Sequence, residues 1–181
     1  MIEIARTYLH VEYPPCTRDQ LTHLANAAYD IAESVIRDHF REYFSIEDIE
    51  LRATVEEGSI KSKIVVGLAG LHFLYQAISG YGSFRQGIDT FARDVQKAGR
   101  AINELQLDQL KRDRSDVIRN RSGSGLPGKL SRLFQEVAAG RLSADDAMKK
   151  VDKLLAQRKE RLPDQILPEL LKPVQEPSAL S

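Results

Sequence analysis

The chain has no tryptophan and a single cysteine, Cys16, among its 181 residues. One cysteine excludes an internal disulfide framework and a zinc site built on several thiolates, and it fits a reducing compartment. Net charge is also missing, because 26 basic and 26 acidic residues cancel. That argues against a bulk nucleic-acid coat but leaves local patches open. The opening Met1-Ile2-Glu3-Ile4-Ala5-Arg6 lacks a basic segment followed by an apolar one, so no cleaved leader is expected and the expected location is cytoplasmic. What remains is an ordinary globular composition, 42% hydrophobic and 29% charged. It excludes wholesale disorder, and the length is about one domain's worth.

The even total hides a gradient. Residues 1–60 hold 5 basic and 12 acidic side chains, whereas residues 111–135 hold 7 and 2. The basic stretch contains Arg112, Arg114, Arg119, Arg121, Lys129 and Arg132. Such a block reads first as a solvated linker and second as an anion or nucleic-acid contact.

Local patterning gives most of the elements. Leu9, Val11 and Tyr13 alternate, which predicts a strand over 7–13 ended by Pro14-Pro15. Thr17 and Gln20 form a capping-box pattern, and an apolar stripe from Leu21 to Ile36 predicts a one-sided helix ending near Phe44. Ile49, Leu51, Ala53 and Val55 predict a second strand. Glu57-Gly58-Ser59 is a turn, and Ile60, Ser62 and Ile64 give a third strand over 60–66. A right-handed crossover makes the first two strands parallel and the third antiparallel to the second.

The central region poses the sharpest question. No charge occurs in the 21 positions from Ile64 to Phe84. A spacing of alternating 3 and 4 runs through Gly67, Gly70, Leu74, Ala77, Tyr81, Phe84, Ile88, Phe91, Val95, Ala98, Ile102 and Leu105. That is the period of a coiled-coil seam. As a helix the charge-free run would be about 31 Å long, near the thickness of a bilayer core. Gly80 and Gly82 favour two helices or a kink over one continuous helix. A membrane segment and a helix buried against the sheet or in an oligomer both stay open. Beyond it, Leu130, Leu133, Phe134 and Val137, a C-terminal Gly140, and Ser143 with Asp146 predict a helical hairpin.

Chemical motifs are weak. Gly123-x-x-x-x-Gly128-Lys129 has part of a phosphate-binding loop, but Leu130 stands where a Ser or Thr should reach magnesium. Arg18 and His23 fit the Arg-x4–6-His pattern of the HEPN ribonucleases. Here the pair sits on the first helix between strands, with its members on different faces. His10, His23, His39 and His72 show no metal spacing. His72, among apolar neighbours, reads as a core histidine, with a seam position as the alternative. Cys16 has no adjacent base.

The segments Glu56-Glu57-Gly58-Ser59-Ile60-Lys61 and Gly80-Tyr81-Gly82-Ser83-Phe84-Arg85-Gln86-Gly87-Ile88-Asp89 resemble a group of small bacterial proteins that share this text over residues 45–105. The resemblance implies no activity. More loosely the region is similar to effector or adaptor modules of bacterial conflict systems, which implies a membrane-prone or self-associating helix.

The expected fold is therefore α+β: a small three-stranded β-α-β-β sheet, a long central helix or kinked pair, and a C-terminal helical hairpin. The divisions are an α+β unit over 1–66, a central segment over 67–110, a basic linker over 111–129, the hairpin over 130–162 and a proline-rich tail over 163–181. The leading functional expectation is a non-enzymatic, self-assembling effector or scaffold subunit with the central helices as its seam, with membrane association left open. The alternatives are a regulatory or nucleic-acid-binding module working through residues 111–132, and a ribonuclease-type toxin. Expected partners are a second copy, a membrane, or a nucleic acid or protein meeting the basic stretch and hairpin. No cofactor, metal or small-molecule substrate is expected.

Overall fold

A computed structural model describes residues 1–157 except 42, 58 and 80–83. The elements run β1 (Ile2–Val11), α1 (Arg18–Phe40), β2 (Ile49–Glu56), β3 (Ile60–Leu68), α2 (Leu71–Ser79), α3 (Phe84–Gln109), β4 (Val117–Gly123), α4 (Gly125–Ala138) and α5 (Ala144–Ala156). The fold is α+β, as expected, but the sheet has four strands in the order β2-β3-β1-β4, each pair antiparallel. The first two strands do run the same way, with β3 inserted between them. In the same manner β1 lies between β3 and β4. Two split β-α-β units are thus interleaved, the topology of the ferredoxin-like arrangement.

The helices cover one face. Ile64, Val66 and Leu68 of β3 are buried with Ala28, Ala32, Val35, Ile36 and Phe40 of α1 and with Ile88, Phe91, Val95, Ala98 and Ile102 of α3. Leu126, Leu130 and Phe134 of α4 and Val151 and Leu155 of α5 complete this core. Phe40, Phe44 and Phe91 form its aromatic centre, with ring centroids 5.5–6.3 Å apart. A register shift between Glu3 and Ala5 acts as a β-bulge in β1. Without the extra residue, the alternation that buries Ala5, Thr7, Leu9 and Val11 would turn Ile2 and Ile4 outward. With it, both isoleucines are fully buried.

Start and stop signals are realised locally. Thr17 and Gln20 form the expected capping box on α1. Ser143 caps α5 by accepting from the Asp146 backbone N–H, and Gly140 takes φ +69° after α4. Gly125 is required twice over. Its φ is +48°, and a Cβ there would lie 2.2 Å from the Glu3 carbonyl oxygen, so only glycine lets α4 start against β1.

Several expectations need correction. The first strand covers 2–11 rather than 7–13. The stretch expected as a linker, 111–129, holds a 3-10 turn at Arg114–Asp116, all of β4 and the first turns of α4. The charge-free run is not one segment: it spans the second half of β3, the nine-residue α2 and the start of α3. The two helices that Gly80 and Gly82 favour over a continuous one are present, as α2 and α3. Among the described residues no helix is long and apolar enough to cross a membrane. His72 is exposed on α2 and lies over Phe73, at 3.9 Å between centroids, rather than in a core. The tail over 163–181 and the hairpin's end beyond 157 lie outside the described residues.

The entry to β4 is tied by its own cap. Asp113 accepts from the Ser115 backbone N–H at 2.7 Å and from the Ser115 hydroxyl. The Glu12 backbone N–H donates to the Asp116 carbonyl at 2.9 Å, joining this turn to the end of β1. The hydroxyl and amide donors of Ser115 hold the Asp113 carboxyl below the usual aspartate range. A depressed folded pKa gives stability that is complete above the unfolded value of about 3.9 and is lost as pH falls through the lower folded one. In denaturant titrations, the stability advantage of the native chain over Asp113→Asn should therefore vanish only in acid below about pH 3.9. A pH-independent difference would show that the charge is not involved. A second measurement tests the core. Phe91→Ala should lower unfolding stability by about 3–5 kcal/mol, and Val95→Asp should fail to fold rather than merely fail to assemble.

Candidate functional site

Because the helices occupy one face, half of every strand's side chains point to the other. Among the described residues that face is left open, and the pairing register places its residues in rows. Arg119 lies opposite His10, which lies opposite Lys61, which lies opposite Glu56. The next row is Arg121, Tyr8, Lys63 and Thr54. The third is Gly123, Arg6, Val65 and Arg52. Side chains two apart on a strand are separated by roughly 7 Å and neighbouring strands by about 5 Å. Six cations and two rings thus share one surface, with Tyr8 and His10 edge-on to each other at 6.5 Å between centroids.

Pairing by carboxylates is confined to the margins. Arg6 bonds Glu3 at 2.5 Å, and Arg52 lies 3.7 Å from Glu50. Among the described residues no carboxylate comes within 4 Å of Lys61, Lys63, Arg119 or Arg121. Two such charges 7 Å apart repel by about 0.6 kcal/mol in water and more where water is displaced. This face is therefore deficient in anions.

The edge strand owes its place to polar contacts. Asn103 of α3, fully buried, donates to the Asn120 side-chain oxygen at 2.7 Å and to the Arg121 carbonyl at 3.2 Å. Gln106, also buried, donates to Asn103 at 3.5 Å and accepts from the Ser62 hydroxyl at 2.5 Å. The chain Ser62–Gln106–Asn103–Asn120 runs from β3 through α3 to β4 and sets which way Arg119 and Arg121 face.

Around the β4 edge the open face deepens into a cleft of about 800 Å³. Arg6, Arg119, Arg121, Lys129 and Arg132 line it, with Gln96 of α3 and residues 122–125. Of the six residues expected to contact anions, Arg119, Arg121, Lys129 and Arg132 are thus brought together. Arg112 and Arg114 are not. Arg112 stacks over Tyr13 at 5.1 Å and lies 3.9 Å from Asp116, and Arg114 lies 3.7 Å from Glu104. The partial phosphate-loop pattern also resolves. A strand does precede it, but Ser124 alone separates β4 from α4, so Gly128 and Lys129 belong to the helix and no loop encircles a phosphate. Arg6, Arg52, Lys61 and Lys63 were missed. The signal for them was present, since each alternates with the apolar residues of its own strand.

The expected seam goes elsewhere. Leu74, Ile88, Phe91, Val95, Ala98 and Ile102 are buried in the chain's own core. Gly67 lies in β3 under Met1, and Gly70 lies between β3 and α2. Leu105 is 45% exposed. Tyr81 lies outside the described residues, and Ala77 and Phe84 are described only as members of α2 and α3. Those six buried side chains are enclosed by the chain itself. Arg18 and His23 are both exposed near the start of α1.

No family model, curated protein or solved structure matches this chain.

Proposed function

We propose that this protein binds a single-stranded nucleic acid across the open face of its sheet. One observation carries the reading: the register collects Arg6, Arg52, Lys61, Lys63, Arg119 and Arg121 around Tyr8 on a face that no described helix covers. A flat, cationic surface with rings set in it offers phosphate contacts and a stacking platform together. A single strand suits it better than a duplex, because unstacked bases can reach a flat sheet whereas a groove requires a protruding element. Few rings lie on the face, so recognition rests on the backbone and carries little sequence preference.

A plainer account is that charges on edge strands block unwanted pairing between sheets. It explains Arg119 and Arg121, since β4 is an edge. It leaves Lys61 and Lys63 unexplained, because β3 is flanked on both sides. An assembly function through the central helices has less support, as most of that stripe is enclosed by the fold.

The test is binding of an internally labelled oligonucleotide by fluorescence anisotropy across a salt series. Six phosphate contacts to a single strand give a slope of about −4 for log affinity against log salt. Replacing Arg119 and Arg121 together by alanine should bring the slope to about −3 and weaken binding at low salt. No binding of RNA or DNA at low salt would sink the proposal.

A further inference from the structure

We infer that the cleft at the β4 edge is a phosphomonoester site, which takes the phosphorylated end of a strand lying on the open face. The inference rests on the nucleic-acid reading above and adds a polarity to it.

The open face and the cleft differ in shape and in charge density. The face is flat and presents its cations in rows, which suits a chain of singly charged diesters. The cleft is concave, and α4 closes one side of it. There Lys129 and Arg132 of α4 come together with Arg119 and Arg121 of β4 and with Arg6 of β1. Arg6 already holds Glu3, the one carboxylate of the lining. Four cations from two elements, without a carboxylate partner among the described residues, exceed what one diester needs. A terminal phosphate carries between one and two negative charges near neutral pH and exposes three oxygens, so it can use several such donors at once. The start of the 14-residue α4 lies in the same wall and adds the positive end of a helix dipole.

Gly123 gives an independent indication. It occupies the last position of β4, where glycine weakens a strand. Its φ is not positive. A Cβ built on it would meet nothing nearer than the Arg6 carbonyl oxygen at 4.0 Å. Neither the backbone nor the packing of this fold therefore asks for glycine at 123. Its missing side chain keeps the floor of the cleft clear, which is what close approach of a ligand requires.

The ligand chemistry is a phosphate monoester, and it has two sources, a strand end and a free mononucleotide. The experiment uses the full chain and three unlabelled eight-nucleotide oligouridines competing with an internally labelled strand. One carries a 5′-phosphate, one a 3′-phosphate, and one has hydroxyls at both ends. One of the phosphorylated strands should bind roughly tenfold tighter than the hydroxyl-ended strand, the gain of about one charge-assisted hydrogen bond. Lys129→Ala with Arg132→Ala should erase that preference. Gly123→Val should erase it as well. Equal affinity for all three strands would overturn the inference and leave the binding face standing. If no strand binds, the parent reading fails, and titration with uridine 5′-monophosphate decides. Saturable binding lost in the Lys129/Arg132 double variant would keep the cleft as a mononucleotide site; no saturation would remove it.

Discussion

β4 stays in the sheet with almost no hydrophobic burial. Its sequence, Val-Ile-Arg-Asn-Arg-Ser-Gly, is exposed at five of seven positions, and Ile118 is 53% exposed. The usual force that seats a strand is absent here. The ladder to β1 and the amide contact between Asn103 and Asn120 take its place. A slip of one residue would turn Arg119 and Arg121 toward α3. The positions they would take, such as that of Asn120, are themselves exposed, so the arginines alone do not resist the slip. The fully buried Asn103 would lose its bond to Asn120, which costs a desolvation penalty. Register, edge and open face therefore depend on one short polar chain.

The layer arrangement follows from the same economy of apolar surface. The chain has enough alternating apolar residues to fill one side of a sheet, and the bulge in β1 recruits Ile2 and Ile4 to that side as well. The other side has to meet water or a partner. An antiparallel sheet tolerates this, whereas an all-parallel one is covered on both faces. Interleaved split β-α-β topology supports many activities and indicates none by itself. What separates this molecule from a bare scaffold is which side chains fill the uncovered face.

Elements with a strong local signal were legible in the sequence. The capping box at Thr17, the β2–β3 hairpin and the glycine after α4 each rest on neighbours a few residues apart. β4 was read as a linker because its stabilising partners, on β1 and α3, are distant in sequence or polar, and periodicity registers neither. The 3/4 stripe through α2 and α3 was correctly periodic, yet period alone does not say whether a stripe meets its own sheet or another chain. The charge-free run was ambiguous for a related reason. A buried strand followed by a short buried helix has the same composition as one longer apolar helix. Part of the candidate site was visible as a cluster of arginines. Its other half, on β1, β2 and β3, appears only when the register is known.

The charge gradient along the chain becomes a gradient across the sheet. Glu50 and Glu56 face outward on β2, at one edge, and Arg119 and Arg121 on β4, at the other. A molecule with zero net charge thus carries a strong internal asymmetry, whose field would orient the polyanion of the proposed function. On the nucleic-acid reading proposed above, Glu50 and Glu56 weaken the hold of the β2 edge beside Arg52, and β1 and β4 carry most of the attraction. Along that half the cations lead from Arg119 past Arg121 to the cleft walled by α4. On the same reading, the direction in which a strand lies follows from where the acidic residues are.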